Sequence, residues 1–245
     1  MNKNTRYFII TGMGRTGTTW LAGIFNQHPD CFCTHEAFRP PTWPDAYEKW
    51  KNTDAPIVGD VNSHARFVIE QIDNDIHPLW IFCWRNPLEL IHSIIARGGS
   101  AFNWRHRVFT RSSFWFKLRI VSTWVFGDIE VMLNKAEKFK INATHWHFDH
   151  YKTQEGVLEM AEYIGLDFEA PPDFDVFKNT HKNPQRGRLG LLPKFLQQII
   201  KPIPKNVPHY KQWSDQEKRA ILGVVDSLPA VSKAYEEAKK RFNAL

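Results

Sequence analysis

The sequence predicts an α/β fold: a single domain with a central parallel sheet flanked by helices. Three observations carry this prediction. Apolar runs at 6–11, 31–34, 57–61 and 79–84 are short and lie between turn signals, as strands of a covered sheet do. Helical patterns follow the first and fourth of these runs, and alternating strands and helices imply parallel pairing, because parallel neighbours need a crossover connection. With 245 residues, 42% hydrophobic and 14% aromatic, the chain can fill one sizeable core, so one domain over 1–245 is expected.

The first strand, 6–11, breaks at Gly12 into a glycine-rich turn, and an apolar helix pattern follows over 17–27. A short strand at 31–34 comes next, and the proline-rich segment 40–44 reads as a loop within the domain. Strand 57–61 follows. Leu79 to Trp84 reads as a fully buried strand, and Pro87 stands at a first helical position, where its missing N–H costs no hydrogen bond. Apolar residues at 88, 91, 94 and 95 continue that helix. Residues 141–148 form a further strand and 153–164 a helix. Ser214-x-x-Glu217 is a capping-box signature for a helix toward Leu228, and Tyr235 to Phe242 suggests a last one. The proline-rich stretch 202–208 is a second internal loop.

Net charge is +6, and its distribution is uneven. No acid lies between Glu89 and Asp128, a window holding Arg97, Arg105, Arg107, Arg111, Lys117 and Arg119. Between Asp175 and Asp215 a second acid-free window carries eight cations from Lys178 to Lys211. A face shared by these windows favours an anionic ligand. Nucleic acid is the rival partner, but no nucleic-acid-binding motif is recognisable, and the phosphates of one cofactor explain the charge more economically. Cys31, Cys33 and Cys83 sit in apolar surroundings and are expected to be buried reduced thiols. No metal-ligand constellation is present. Met1 to Arg6 contains no apolar signal segment, so a cytoplasmic protein without integral membrane association is expected.

The most informative stretch is Tyr7 to Trp20. Gly12 and Gly17 stand at the spacing of the nucleotide-binding loop G-x-x-x-x-G-K-[ST], but Thr18 replaces the lysine that reaches the terminal phosphates of a nucleoside triphosphate. The loop therefore suits phosphate binding without triphosphate hydrolysis. Arg15 supplies the positive charge, and the backbone N–H groups of Thr16 to Thr19 at a helix N-terminus supply donors.

Gly12-Met-Gly-Arg-Thr-Gly-Thr-Thr-Trp-Leu21, followed by Asn26-Gln-His-Pro-Asp30, resembles the 5′-phosphosulfate loop of sulfotransferases that use 3′-phosphoadenosine 5′-phosphosulfate (PAPS). Trp80-Ile-Phe-Cys-Trp-Arg-Asn-Pro87, with Ser93 eight residues after Arg85, resembles the strand, loop and helix that grip the 3′-phosphate in that family. The likeness extends to bacterial carbohydrate-type and tyrosylprotein sulfotransferases, and is convincing over residues 6 to 100. It implies a P-loop-like fold and assigns Gly14, Arg15, Thr16, Gly17, Thr18, Thr19 and Trp20 to the cofactor loop. It also implies that Arg85 and Ser93 bind the 3′-phosphate, and offers Arg186-Gly-Arg188 as a basic loop closing over it. Two departures stand out: Gly14 replaces the usual proline, and the strand 57–61 ends without the lysine many relatives place near the transferring group, although Asn62 or Ser63 is placed to line the site.

Topology points to the catalytic base. A helix of about 11 residues leads away from the loop by about 16 Å, and the strand ending near Thr34 returns by a similar length. Glu36 thus returns to the carboxyl edge of the strands, where open α/β sheets bind ligands. Its separation from Arg15 resembles that of the catalytic glutamate from the loop arginine in tyrosylprotein sulfotransferases. His35 is the rival base, on the opposite side of an extended backbone. A carboxylate in this role accepts the hydroxyl proton late, as the acceptor attacks sulfur, while Arg15 and the loop N–H groups stabilise the departing phosphate. The expected acceptor is a carbohydrate or another hydroxylated small molecule; a P-loop nucleotide kinase and a noncatalytic nucleotide- or RNA-binding module remain as alternatives.

Overall fold

The computed structural model describes residues 5–12, 17–97, 114–175 and 208–243. In chain order the elements are β1 (Arg6–Gly12), α1 (Thr18–Phe25), β2 (Cys31–His35), α2 (Trp43–Lys51), β3 (Ile57–Val61), α3 (Ile69–Ile76), β4 (Leu79–Trp84) and α4 (Pro87–Arg97). They continue with α5 (Phe114–Lys138), β5 (Ala143–His147), α6 (Phe148–Tyr151), α7 (Gln154–Ile164), α8 (Asp215–Asp226) and α9 (Pro229–Asn243). The five strands are all parallel, in the order β2-β3-β1-β4-β5.

Alternation along the strands divides the core into two layers. On β1, Phe8 and Ile10 face one side while Ile9 faces the other; on β4, Ile81 and Cys83 oppose Trp80, Phe82 and Trp84. The first side packs against α1 through Leu21, Ile24 and Phe25, and against α7 through Val157, Met160 and Ile164. The second is broader and aromatic: Trp43 and Trp50 of α2, Ile69 and Ile72 of α3, Leu90 and Ile91 of α4, and much of α5, α8 and α9. Both faces are covered, which is why the strands read as continuous apolar runs. Cys31, Cys33 and Cys83 are buried free thiols, and burial raises the Cys31 and Cys83 pKa values to about 12.

The strands at 57–61 and 79–84 fall where the sequence places them, and strand 141–148 is realised as 143–147. The segment 40–44 corrects the reading of a loop, because a 3-10 turn over Pro40–Thr42 leads directly into α2. Pro44 lies in the first turn of that helix, where it removes no intrahelical bond. Helix α3 had no expected counterpart. No described helix is long and apolar enough to cross a membrane.

The strand order places the site. From β1 the chain runs by α1 to β2 at one edge, returns to β3 beside β1, then crosses to β4 on the other side. The end of β1 is thus a point where connections diverge, and such a point opens a crevice at the carboxyl ends of a parallel sheet.

Candidate functional site

Register brings the predicted residues to one edge. Gly12 pairs with Cys83, one residue before Trp84 and two before Arg85, while His35 pairs with Val61, the last residue of β3. Gly12 has φ 152°, and a Cβ there would lie 2.5 Å from the Cys83 carbonyl oxygen, so only glycine fits where β1 enters the loop. Residues 13–16, and with them Gly14, Arg15 and Thr16, lie outside the described residues. Beyond them Gly17 caps α1 in the left-handed conformation, at φ 79° and ψ 16°. A Cβ on Gly17 would stand 3.1 Å from the Phe148 ring, which closes over this turn from the end of β5.

Helix α1 begins without a side-chain cap and without an acid in its first turn, starting with Thr18. A helix start of this kind has the N–H groups and the positive dipole end that suit an anion. Trp20, offered as a cofactor-loop residue, donates from Nε1 to the Phe174 carbonyl at 3.2 Å.

Both candidate bases reach the edge, and each is held by a different neighbour. His35 Nε2 lies 3.1 Å from Thr19 Oγ1, on the first turn of α1. Burial lowers the His35 pKa, and the nearby Glu36 charge opposes that shift. Glu36 follows the end of β2 with φ 49°, and its Oε1 accepts from the Ser63 hydroxyl at 2.8 Å. The left-handed turn at Glu36 breaks the strand alternation, so His35 is not carried away from the site as an extended backbone would require. Of the pair offered as site-lining, Ser63 meets Glu36, whereas Asn62 is fully buried behind the edge.

Arg85 emerges from the end of β4. Its guanidinium lies 4.7 Å from the centre of the Phe148 ring, and its Nε donates to Glu89 Oε2 at 3.3 Å. Glu89 also accepts from Tyr210 Oη at 2.6 Å, and this bond, with burial and the Glu89 charge, raises the tyrosine pKa to about 12. Arg85, Glu89 and Ser93 are spaced by four residues, so Glu89 and Ser93 share one face of α4 with Arg85 just ahead of it. Sequence reading missed Glu89, Tyr210 and Phe148. The spacing of Arg85 and Glu89 was a usable signal for the first; the other two meet the site only through the tertiary fold. Arg186 and Arg188 lie outside the described residues.

Comparison with known proteins bears on this geometry. The model of the sulfotransferase family matches residues 8–75, from β1 through the Glu36 turn and Ser63 to α3. Over that segment the chain is similar to the sulfotransferase family. A crystal structure of mouse sulfotransferase SULT7A1 complexed with PAP superposes with TM-score 0.60 and 12% identity, over 99% of this chain and 90% of that one. At that identity the likeness is one of fold, and it extends the sulfotransferase architecture from the matched segment to the sheet as a whole. No curated protein sequence matches the chain.

Proposed function

We propose that the chain transfers a sulfuryl group from PAPS to an acceptor hydroxyl, with Glu36 as general base and a carbohydrate or other hydroxylated small molecule as acceptor. One observation carries this reading. At a single sheet edge, inside the segment that matches the family, a carboxylate held by Ser63 stands with a histidine held on the uncapped first turn of α1. The residues present fit the cofactor: α1 offers a helix start with neither cap nor acid, and Gly17 lies in the left-handed conformation against the Phe148 ring, where a Cβ would be crowded.

When bound, PAPS supplies the sulfuryl group and a phosphate leaving group. The α1 N-terminus and Arg15 hold the 5′-phosphosulfate and balance charge that builds as the phosphate departs. Arg85, seated on Phe148 and oriented by Glu89, takes the 3′-phosphate together with Ser93. Ser63 engages Glu36 Oε1, which leaves Oε2 to accept the acceptor proton. His35, bound to Thr19, steadies the cofactor side of the site.

The test is PAPS-dependent turnover over a panel of sugars, phenols and lipid alcohols. Glu36→Gln is expected to lower turnover by about 10²–10⁴, the usual contribution of a positioned general base, and to leave PAP affinity nearly unchanged. His35→Asn is expected to cost clearly less. Near-normal turnover in Glu36→Gln beside an inactive His35→Asn transfers the base role to His35.

A further inference from the structure

Behind the Glu36 turn lies a polar cluster in the middle of the sheet. Thr11 and Asp60, on strands otherwise filled with apolar side chains, and Asn62, just past the end of β3, are each fully buried. Asp60 Oδ2 accepts from the Ala37 N–H at 3.2 Å and from Asn62 Nδ2 at 2.7 Å. Asn62 Nδ2 also donates to the Phe38 carbonyl at 3.0 Å, and Asn62 Oδ1 accepts from the His64 N–H at 2.8 Å. The Asn62 backbone donates to the Ile10 carbonyl and accepts from the Thr11 hydroxyl, at 2.8 and 2.9 Å. These bonds converge on residues 36–38 and on the end of β1, before the phosphate loop.

We propose that Asp60, working with Asn62 and Thr11, is a positioning residue that fixes the Glu36 turn against the strand leading into the phosphate loop. The proposal rests on the reading of Glu36 as the base. A non-glycine residue at φ 49° is held in a sparsely populated conformation, and persists only where its surroundings over-determine it. The amide immediately after Glu36 is the one Asp60 holds, and Asn62 holds the carbonyl of Phe38, two residues after Glu36. Ser63, which bonds the Glu36 carboxylate, directly follows Asn62, so one short segment fixes both ends of the glutamate.

An apolar residue at position 60 would suit the sheet better, because a buried carboxylate is costly to charge. Burial raises its pKa to about 6, against the hydrogen bonds from Asn62, Thr34 and the Ala37 amide, and the Glu36 charge adds to the rise. Around it, β2 contributes Cys33 and Thr34, the turn contributes Glu36 and the Ala37 amide, and β3 contributes Asn62. Of these only Cys33 and Glu36 titrate, and burial holds the Cys33 thiol well above its ordinary value. Asp60 is therefore charged at neutral pH, and loses its charge, weakening its hold on the Ala37 amide, as pH falls through about 6.

Asp60→Asn keeps the shape and one acceptor oxygen but removes the titration; Thr11→Val removes one bond at the far end. For each variant, PAP affinity is measured by titration calorimetry, and kcat and acceptor KM from pH 5 to 8. Asp60→Asn is expected to keep PAP affinity within about threefold and to lose about ten- to a hundredfold in kcat at pH 7.5, as a small misplacement of a reacting group does. The native protein is expected to show an acidic limb near pH 6, and Asp60→Asn should lack it. Thr11→Val should lose kcat in the same direction and less. A folded Asp60→Asn with native kcat and a native acidic limb overturns the proposal, as does a Thr11→Val with native kcat if Asp60→Asn does not fold. Glu36→Gln assayed in parallel separates the two ideas. If it keeps its turnover, the reading of the base fails and the positioning role with it; if it alone loses turnover, only the positioning role fails.

Discussion

Glu36 and Arg85 show how side chains at one sheet edge acquire different duties from their partners. In the proposed site Arg85 would contact the 3′-phosphate in ground and transition states alike, so Arg85→Ala should weaken PAP binding by roughly 1.5–3 kcal/mol and spare turnover at saturating cofactor. Calorimetry with PAP and adenosine 5′-phosphate checks this. The preference for PAP should shrink, and an unchanged preference in a folded variant removes Arg85 from the site. Asp60 carries a stability prediction. Its folded pKa is raised from 3.8 to about 6, so the folded state holds the proton more tightly. Its favourable contribution is complete below pH 4 and lost as pH rises through 6, a swing of about 3 kcal/mol. The stability of Asp60→Asn relative to the native protein should therefore increase between pH 4 and pH 7 in urea titrations; a constant difference would refute the raised pKa. The placement of single residues was legible where local spacing carried the signal, as with the turn glycines Gly12 and Gly17 and the positions of Glu36 and Arg85 at the strand ends. Asp60 and Phe148 were not, because their contacts lie between strands adjacent only in the folded sheet.

Elements were legible where a period or a cap marked them. Ser214 accepts from the Glu217 N–H, and the Glu217 carboxylate accepts from the Ser214 N–H, completing the box that starts α8. Ser214→Ala should cost about 1 kcal/mol in urea unfolding and leave PAP affinity unchanged. A loss of PAP affinity would mean that α8 reaches the site. Helix α5 was hidden because it is covered on more than one side. Leu118, Val125, Ile129 and Met132 are buried while Phe116 and Val131 are exposed, so no single apolar stripe stands out. Helix α2 was hidden behind its prolines. At the other extreme, Gly12→Ala should be severe, since its Cβ would meet the backbone of β4 rather than a movable side chain. Loss of the folded protein on expression, or a large drop in Tm, is the expected outcome.

At the scale of the whole molecule, strand order makes the site. Because β1 lies between β3 and β4, the phosphate loop, the Glu36 turn and Arg85 all emerge at the same carboxyl edge although they span some 70 positions of sequence. The alternation of strands and helices made this architecture readable. The acceptor was not, since acceptor recognition follows from surface shape with no fixed residue spacing. The central claim is that this edge holds one 3′-phosphorylated nucleotide, and thermal unfolding with PAP against ATP and magnesium tests it most directly. PAP at about 100 times its dissociation constant should add about 2.7 kcal/mol, a rise in Tm of roughly 5–10 °C, and ATP with magnesium should add much less. Equal shifts from the two nucleotides, or none from PAP, would contradict the account.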